Sequence, residues 1–120
     1  MPVKKILVVD DSPTDRQFLL EGLSRLGYQV VLAERGVEAI GKAKSEKPDL
    51  VLMDIVMPGM NGFQATRSIS RDEATKDIPV IVCTTKSLET DRIWGMRQGA
   101  KDYLVKPINL DELAAKIAAL

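Results

Sequence analysis

Short, unbroken apolar runs alternate along the whole chain with longer stretches in which apolar residues recur every three or four positions. After Lys5, residues Ile6 to Val9 have no polar face, which suits a strand buried on both sides of a sheet. Gln29 to Ala33, Leu50 to Met53, Val80 to Cys83 and Asp102 to Val105 read as four further strands. Between the first two strands, Ser12-Pro13 opens a helix as N-cap and first-turn proline. Phe18, Leu19, Leu23 and Leu26 follow at helical spacing, and Gly27 ends the segment. A second helix is predicted over Val37 to Ser45, with Val37, Ile40 and Ala43 inward. A third runs over Phe63 to Ser70, and a fourth over Leu88 to Arg97 with Gly99 as its C′ glycine. The last runs over Leu110 to Leu120. Residues 55 to 62 form a loop rich in Pro and Gly, and Arg71 to Pro79 a charged connection. Five strands alternating with five helices through short right-handed crossovers predict an α/β fold, a parallel sheet covered on both faces.

Composition narrows the function. A chain of 120 residues is expected to be one domain, residues 1–120, with no linker, repeat or output segment. With 45% hydrophobic and 28% charged residues, a packed core is expected and disorder is not. Seventeen basic and seventeen acidic residues cancel, so no net field favours nucleic acid or an anionic membrane. No run is long enough to cross a bilayer and no signal peptide precedes Lys4-Lys5, so a cytoplasmic monomer is expected. The lone Cys83 lies inside an apolar run and reads as a small core residue. The chain has no histidine, which excludes Ser-His-Asp triads, Cys-His pairs and histidine-held zinc. A bound metal would be held by oxygen, which favours Mg²⁺ or Ca²⁺. Neither GxxxxGK[ST] nor GxGxxG occurs, and no Ser/Thr/Gly-rich loop for a flavin phosphate follows the first strand.

The informative chemistry lies where the apolar runs stop. Asp10-Asp11 follows the first run, Asp54 the third, Thr84 the fourth, and Lys106-Pro107 the fifth. In open α/β sheets the carboxyl ends of the strands are where sites are built. Taken singly these residues are ordinary: Asp-Asp-Ser-Pro is a common solvated helix start, and Lys-Pro means little. Their coincidence on four strand ends is what points to a site. Three carboxylates together repel unless a hard cation screens them. Mg²⁺ would suit Asp11 and Asp54 as direct ligands, Asp10 directly or through water, and the backbone carbonyl of Val56. Lys106 could then pair with a phosphoryl oxygen, and Thr84 could donate a hydrogen bond to another. Such a set suits phosphoryl transfer to Asp54, giving an aspartyl phosphate.

Those residues, with Met53, Met57-Pro58, Gly62 and Tyr103, resemble the CheY-like receiver domains of response regulators along the entire chain. The separations between Asp54, Thr84 and Lys106 also agree with that family. The resemblance implies a flavodoxin-like, five-stranded parallel sheet in the order 2-1-3-4-5; this is the order of the general example of flavodoxin and CheY and is not read from spacing. It would leave the second strand at an edge, away from the site. The resemblance further implies that Asp54 accepts a phosphoryl group from a histidine kinase, that Asp10 and Asp11 hold Mg²⁺, and that Lys106 and Thr84 read the phosphoryl group. It implies a cis Lys106–Pro107 peptide. Residues 53–67, Thr84 to Lys86, Trp94-Gly95 and Arg97 to Ala100 are similar to the stand-alone receivers of type IV pilus twitching motility.

In the family, signalling moves the switch hydroxyl toward the phosphoryl group and turns a strand aromatic inward, positions matched by Thr84 and Tyr103. Tyr103 otherwise reads as a half-buried strand aromatic. The readout face would be the fourth helix, fifth strand and fifth helix. Trp94, the only tryptophan, would pack at a core edge, with Ile93 and Met96 inward, or anchor a partner if exposed. Thr85 stands where Ala or Gly is frequent and would restrict access to Asp54. Val56 has no polar side chain to orient a water, which would leave hydrolysis unassisted. The leading expectation is a phosphoacceptor switch, with a phosphate sink that drains a shared kinase, or a phosphorylation-independent adaptor, as alternatives.

Overall fold

The alternation of faces along each strand explains the architecture. The computed structural model describes residues 2–85 and 89–120, without the side chains of 89–91. The strands are β1 (Lys5–Val9), β2 (Gln29–Ala33), β3 (Leu50–Asp54), β4 (Val80–Thr84) and β5 (Asp102–Val105). All pair in parallel, in the order β2-β1-β3-β4-β5, so β2 lies at an edge as expected. The helices are α1 (Pro13–Arg25), α2 (Gly36–Glu46), α3 (Gly62–Arg71), α4 (Glu89–Arg97) and α5 (Leu110–Ala118). The expected start of the fourth helix, Leu88, lies outside the described residues.

Successive side chains point to opposite faces, and the core divides accordingly. Leu7, Val9, Val51, Met53, Val80 and Val82 join Ala39 and Ala43 of α2 and Ala65 and Ile69 of α3. Ile6, Val8, Leu50, Leu52, Ile81, Cys83 and Leu104 join Leu19 and Leu23 of α1 and Leu113 and Ile117 of α5. Both faces of the sheet are therefore dry, which is why its strands read as continuous apolar runs. Cys83 is buried in the second layer, and burial pushes its thiol up to about 12. It is an inert core residue.

Local signals set the helix ends. Ser12 Oγ accepts the Asp15 N–H at 3.3 Å with Pro13 behind it, as the sequence predicts. Asn61 and Gln64 form a reciprocal capping box at the start of α3. Gly99 adopts φ +106° after α4, in the left-handed region expected of a C′ glycine.

Several inward assignments are corrected. Val37 is 68% exposed, because α2 buries the small residues Gly36, Ala39 and Ala43 instead. Ile40 packs on that core from its edge. Phe18 and Leu26 are exposed, since the buried stripe of α1 is Leu19, Gly22 and Leu23. Ile93 and Met96 are exposed as well. Among the described side-chain positions of α4 the residue turned inward is Gly95, whose missing Cβ would lie 3.0 Å from a Val82 methyl.

Gly62 positions the site. A Cβ there would lie 2.1 Å from the Asp54 carbonyl oxygen and 2.7 Å from Ile55 Cα, both backbone atoms unable to swing aside. This approach lets the Gly62 N–H donate to Ile55 C=O at 2.9 Å and folds the loop back over the end of β3. Gly62→Ala is expected to cost about 2 kcal/mol or more, read as a fall in the urea midpoint. An unchanged midpoint would show that the loop can be rebuilt without this contact.

Candidate functional site

The sheet register assembles the polar strand ends. Val9 pairs with Met53, so Asp10 and Asp54 emerge side by side from β1 and β3. Asp54 is opposite Cys83 and Thr84 is opposite Val105, which places Thr84 and Lys106 one step further round the rim. The Lys106 N–H donates to the Thr84 carbonyl at 2.7 Å, and the Lys106–Pro107 peptide is cis. Asp10, Asp11, Asp54, Thr84 and Lys106 are thus brought together at one edge.

Asp10 and Asp54 are buried, 2% and 5% exposed, whereas Asp11 faces solvent. Asp10 is held at several points. Its backbone N–H donates to Ala33 C=O, its Oδ1 accepts the Ser12 N–H at 2.9 Å, and its C=O accepts Arg16 Nη1 at 2.8 Å. Arg16 is itself paired with Glu34 at 3.2 Å. The Lys106 ammonium lies 2.7 Å from Asp10 Oδ2, 3.1 Å from Asp15 Oδ2 and 3.2 Å from Asp54 Oδ1.

Burial, and after it the charge of Asp10, raises the Asp54 carboxyl from 3.8 to about 6, although Lys106 pulls the other way. Desolvation works against the Lys106 ammonium, but the Asp10 hydrogen bond and the charges of Asp54 and Asp10 outweigh it. The lysine is held above its usual range and stays charged. One ammonium among these carboxylates leaves the cluster anionic.

One carboxylate oxygen from each of Asp10, Asp11 and Asp54 lies within 4.8 Å of the others. Three hard oxygen donors at this spacing, with a net negative charge, fit a divalent cation such as Mg²⁺ better than a thiophilic metal. Val56 is exposed on the loop after Asp54. Thr84 is buried at the end of β4, and Thr85 beside it is exposed.

Tyr103 lies outside the acidic cluster, opposite Val82 and two residues before Val105, the partner of Thr84. Thr84 and Tyr103 therefore share a sheet face, and the half-buried ring packs against the α2–α3 layer. The Arg92 guanidinium and the Lys116 ammonium stand 5.9 and 5.8 Å from its centroid. Trp94, 53% exposed on α4 with Arg97 at 5.9 Å, lies outside the rim cluster.

Sequence reasoning missed four contributors. Arg16 clamps Asp10 through a backbone carbonyl, which no motif announces. Arg92 and Lys116 bracket Tyr103 from two different helices. Asp15 reaches Lys106 although it stands in the first turn of α1, where an acidic residue reads simply as a partner for the helix dipole. A cavity of about 70 Å³ opens beside it, lined by Asp15, Phe18, Leu19, Lys106, Pro107 and Ile108.

Comparison with known proteins agrees with this fold. The profile of the response regulator receiver domain matches residues 6–118. Protein PilH of Pseudomonas aeruginosa is 54% identical over 116 residues, 97% of this chain and 96% of that protein. The chain spans about half the length of other relatives it matches, transcriptional regulators among them. The chemotaxis protein CheY4 of Vibrio cholerae superposes with TM-score 0.91 at 32% identity, covering 98% of both chains. The receiver domain of sensor histidine kinase PA1611 from Pseudomonas aeruginosa, with a magnesium ion in its active-site cleft, superposes with TM-score 0.90. It is 33% identical, over 98% of this chain and 96% of that one.

Because the folded Asp54 carboxyl binds its proton more tightly than the unfolded one, the cluster destabilises the metal-free protein above about pH 6. That penalty fades as the pH falls toward 4. Asp54→Asn keeps the size and removes the charge. It is expected to raise the Tm of metal-free protein at pH 7.5 by a few degrees, the effect of about 1 kcal/mol in a domain this size. Near pH 4 the gain should vanish; a gain that ignored pH would mean the buried charge is not its source.

Proposed function

This chain belongs to the response regulator receiver domain family, and we propose that it is a phosphoacceptor switch loaded at Asp54 by a histidine kinase. The observation that carries the reading is the Lys106 ammonium 3.2 Å from Asp54 Oδ1, with the Asp10 and Asp11 carboxylates gathered against the same residue. In the transfer, an Asp54 oxygen forms a bond to phosphorus as the bond from phosphorus to the donor breaks. The bonding electron pair leaves with the departing group, the histidine imidazole of the kinase or the acetate of acetyl phosphate.

Asp10, Asp11 and Asp54, with the Val56 carbonyl, would hold Mg²⁺, which supplies charge neutralisation at the phosphoryl oxygens. The magnesium in the PA1611 receiver supports that choice. Lys106 pairs with one phosphoryl oxygen and Thr84 donates its hydroxyl to another. Asp10 and Asp54, buried and held at strand ends, would meet the ion already in place.

Thr84 and Tyr103 share a face of the sheet, so a pull on the threonine hydroxyl is felt at the tyrosine ring. Trp94, exposed on α4, then serves as the anchor for a downstream protein. The resemblance of residues 53–67 to pilus regulators, together with the identity to PilH, supports a role in type IV pilus motility control. We place the protein in the cytoplasm with its kinase; no helix among the described residues is long and apolar enough to cross a membrane.

The reading is tested by intact-protein mass after incubation with Mg²⁺ and acetyl phosphate. An adduct that requires both Mg²⁺ and Asp54 is expected. No adduct with metal binding intact would point to a site closed to small donors at Thr85, and no adduct with no metal binding would leave the adaptor reading. The decay of that adduct separates a switch from a sink, since a drain must discharge fast. Val56→Asn, which puts a polar group on the exposed loop two residues after Asp54, is expected to change the decay rate by about threefold or more. An unchanged rate would remove Val56 from the hydrolysis step.

A further inference from the structure

We propose that Asp15 is a positioning residue that competes with the incoming phosphoryl group for the Lys106 ammonium and so limits how fast Asp54 is loaded. The inference deepens the phosphoacceptor reading and rests on it. An ammonium has three N–H donors, and three carboxylates face it: Asp10 at 2.7 Å, Asp15 at 3.1 Å and Asp54 at 3.2 Å. Lys106 therefore donates to Asp10 and Asp15 and is ion-paired with Asp54 before any phosphoryl oxygen arrives.

When phosphorus bonds to Asp54 and the donor departs with its electron pair, the new phosphoryl oxygens need that ammonium. One carboxylate must release it. Asp10 and Asp54 are fixed at strand ends, nearly dry, and belong to the acidic triad. Asp15 does not belong to that triad. It enters from α1, its side chain is 45% exposed, and water can take over its solvation when the pair breaks. Its backbone is nevertheless pinned by the Ser12 cap at 3.3 Å, which keeps the carboxylate within reach of Lys106. A half-exposed pair of this kind is weak enough to open and strong enough to be felt in a rate.

The test uses wild type, Asp15→Asn and Asp15→Glu at saturating Mg²⁺ with acetyl phosphate, following adduct mass against time. Asp15→Asn should load Asp54 about three- to tenfold faster, and Asp15→Glu, which restores the charge, should return toward wild type. The gain should persist at 0.5 M salt, where a through-solvent effect of the lost charge on the anionic donor is screened. Equal rates, a gain abolished by salt, or a glutamate that behaves like the asparagine would each overturn the proposal.

A second readout owes nothing to phosphorylation. In metal-free protein the ε-ammonium NMR signal of Lys106, assigned by its loss in Lys106→Ala, should move in Asp15→Asn and return in Asp15→Glu. An unmoved signal overturns the proposal. If wild type formed no adduct and bound no Mg²⁺, the phosphoacceptor reading would fall, and the ammonium signal alone would decide whether Asp15 positions the lysine.

Discussion

Two nearly dry carboxylates, Asp10 and Asp54, stand side by side on neighbouring strands, and the ammonium of Lys106 makes that arrangement tolerable. Removing Lys106 would leave these buried carboxylates uncompensated, which costs far more than the intact pairs contribute. The compensation is unevenly shared. Asp10 has the shorter contact to Lys106, the Ser12 N–H on its other oxygen, and a backbone clamped by Arg16. Asp54 has the longer contact and bears the residual repulsion, visible in a carboxyl raised to about 6. The group left least satisfied is the one with most to gain from a cation, and from a phosphoryl group that brings a cation's charge into play.

The fold is organised to hold that imbalance. Because all five strands run parallel and both faces of the sheet are covered, polar residues can gather only where strands end. The register then makes the rim a staircase, with Asp10 beside Asp54, Thr84 one step on, and Lys106 after it. Lys106 is tied to Thr84 through the backbone as well as to Asp10 and Asp54 through its ammonium. Gly62 closes the other side by letting the loop backbone press against Asp54 where no side chain would fit.

Much of this was legible in the residues. The strands were plain because full burial leaves an apolar run with no polar interruption, so the residues that end the runs stood out as the candidate site. The helix faces were less legible where burial depends on small residues. Val37 looks like a core residue on α2, and Ile93 and Met96 on α4, yet these helices approach the sheet and their neighbours through Gly36, Ala39 and Ala43, and through Gly95. A hydrophobic stripe cannot announce a face built from the absence of side chains. Asp15 and Arg16 escaped for another reason: their roles come from a helix start being folded against strand ends distant in sequence, and Arg16 acts through a main-chain carbonyl.

The same geometry limits how a charge at Asp54 could be communicated on the proposed reading. Thr84 and Lys106 are the two groups that can follow a phosphoryl oxygen, and each leads somewhere different. Thr84 leads along the face it shares with Tyr103, whose ring lies near cations from α4 and α5. A ring so placed is attached to two helices at once, so moving it changes the relation between them rather than one surface side chain. Lys106 leads instead to Asp15 and α1, on the other side of the sheet. Occupation of one carboxylate would thus draw on both layers of the domain: the first through packing, the second through an ion pair open to solvent. Packing rearranges between discrete states because the interior is dense, whereas an exposed ion pair adjusts gradually and costs little. On that reading the switch of state would belong to the Thr84–Tyr103 side, and the tuning of its rate to the Lys106–Asp15 side.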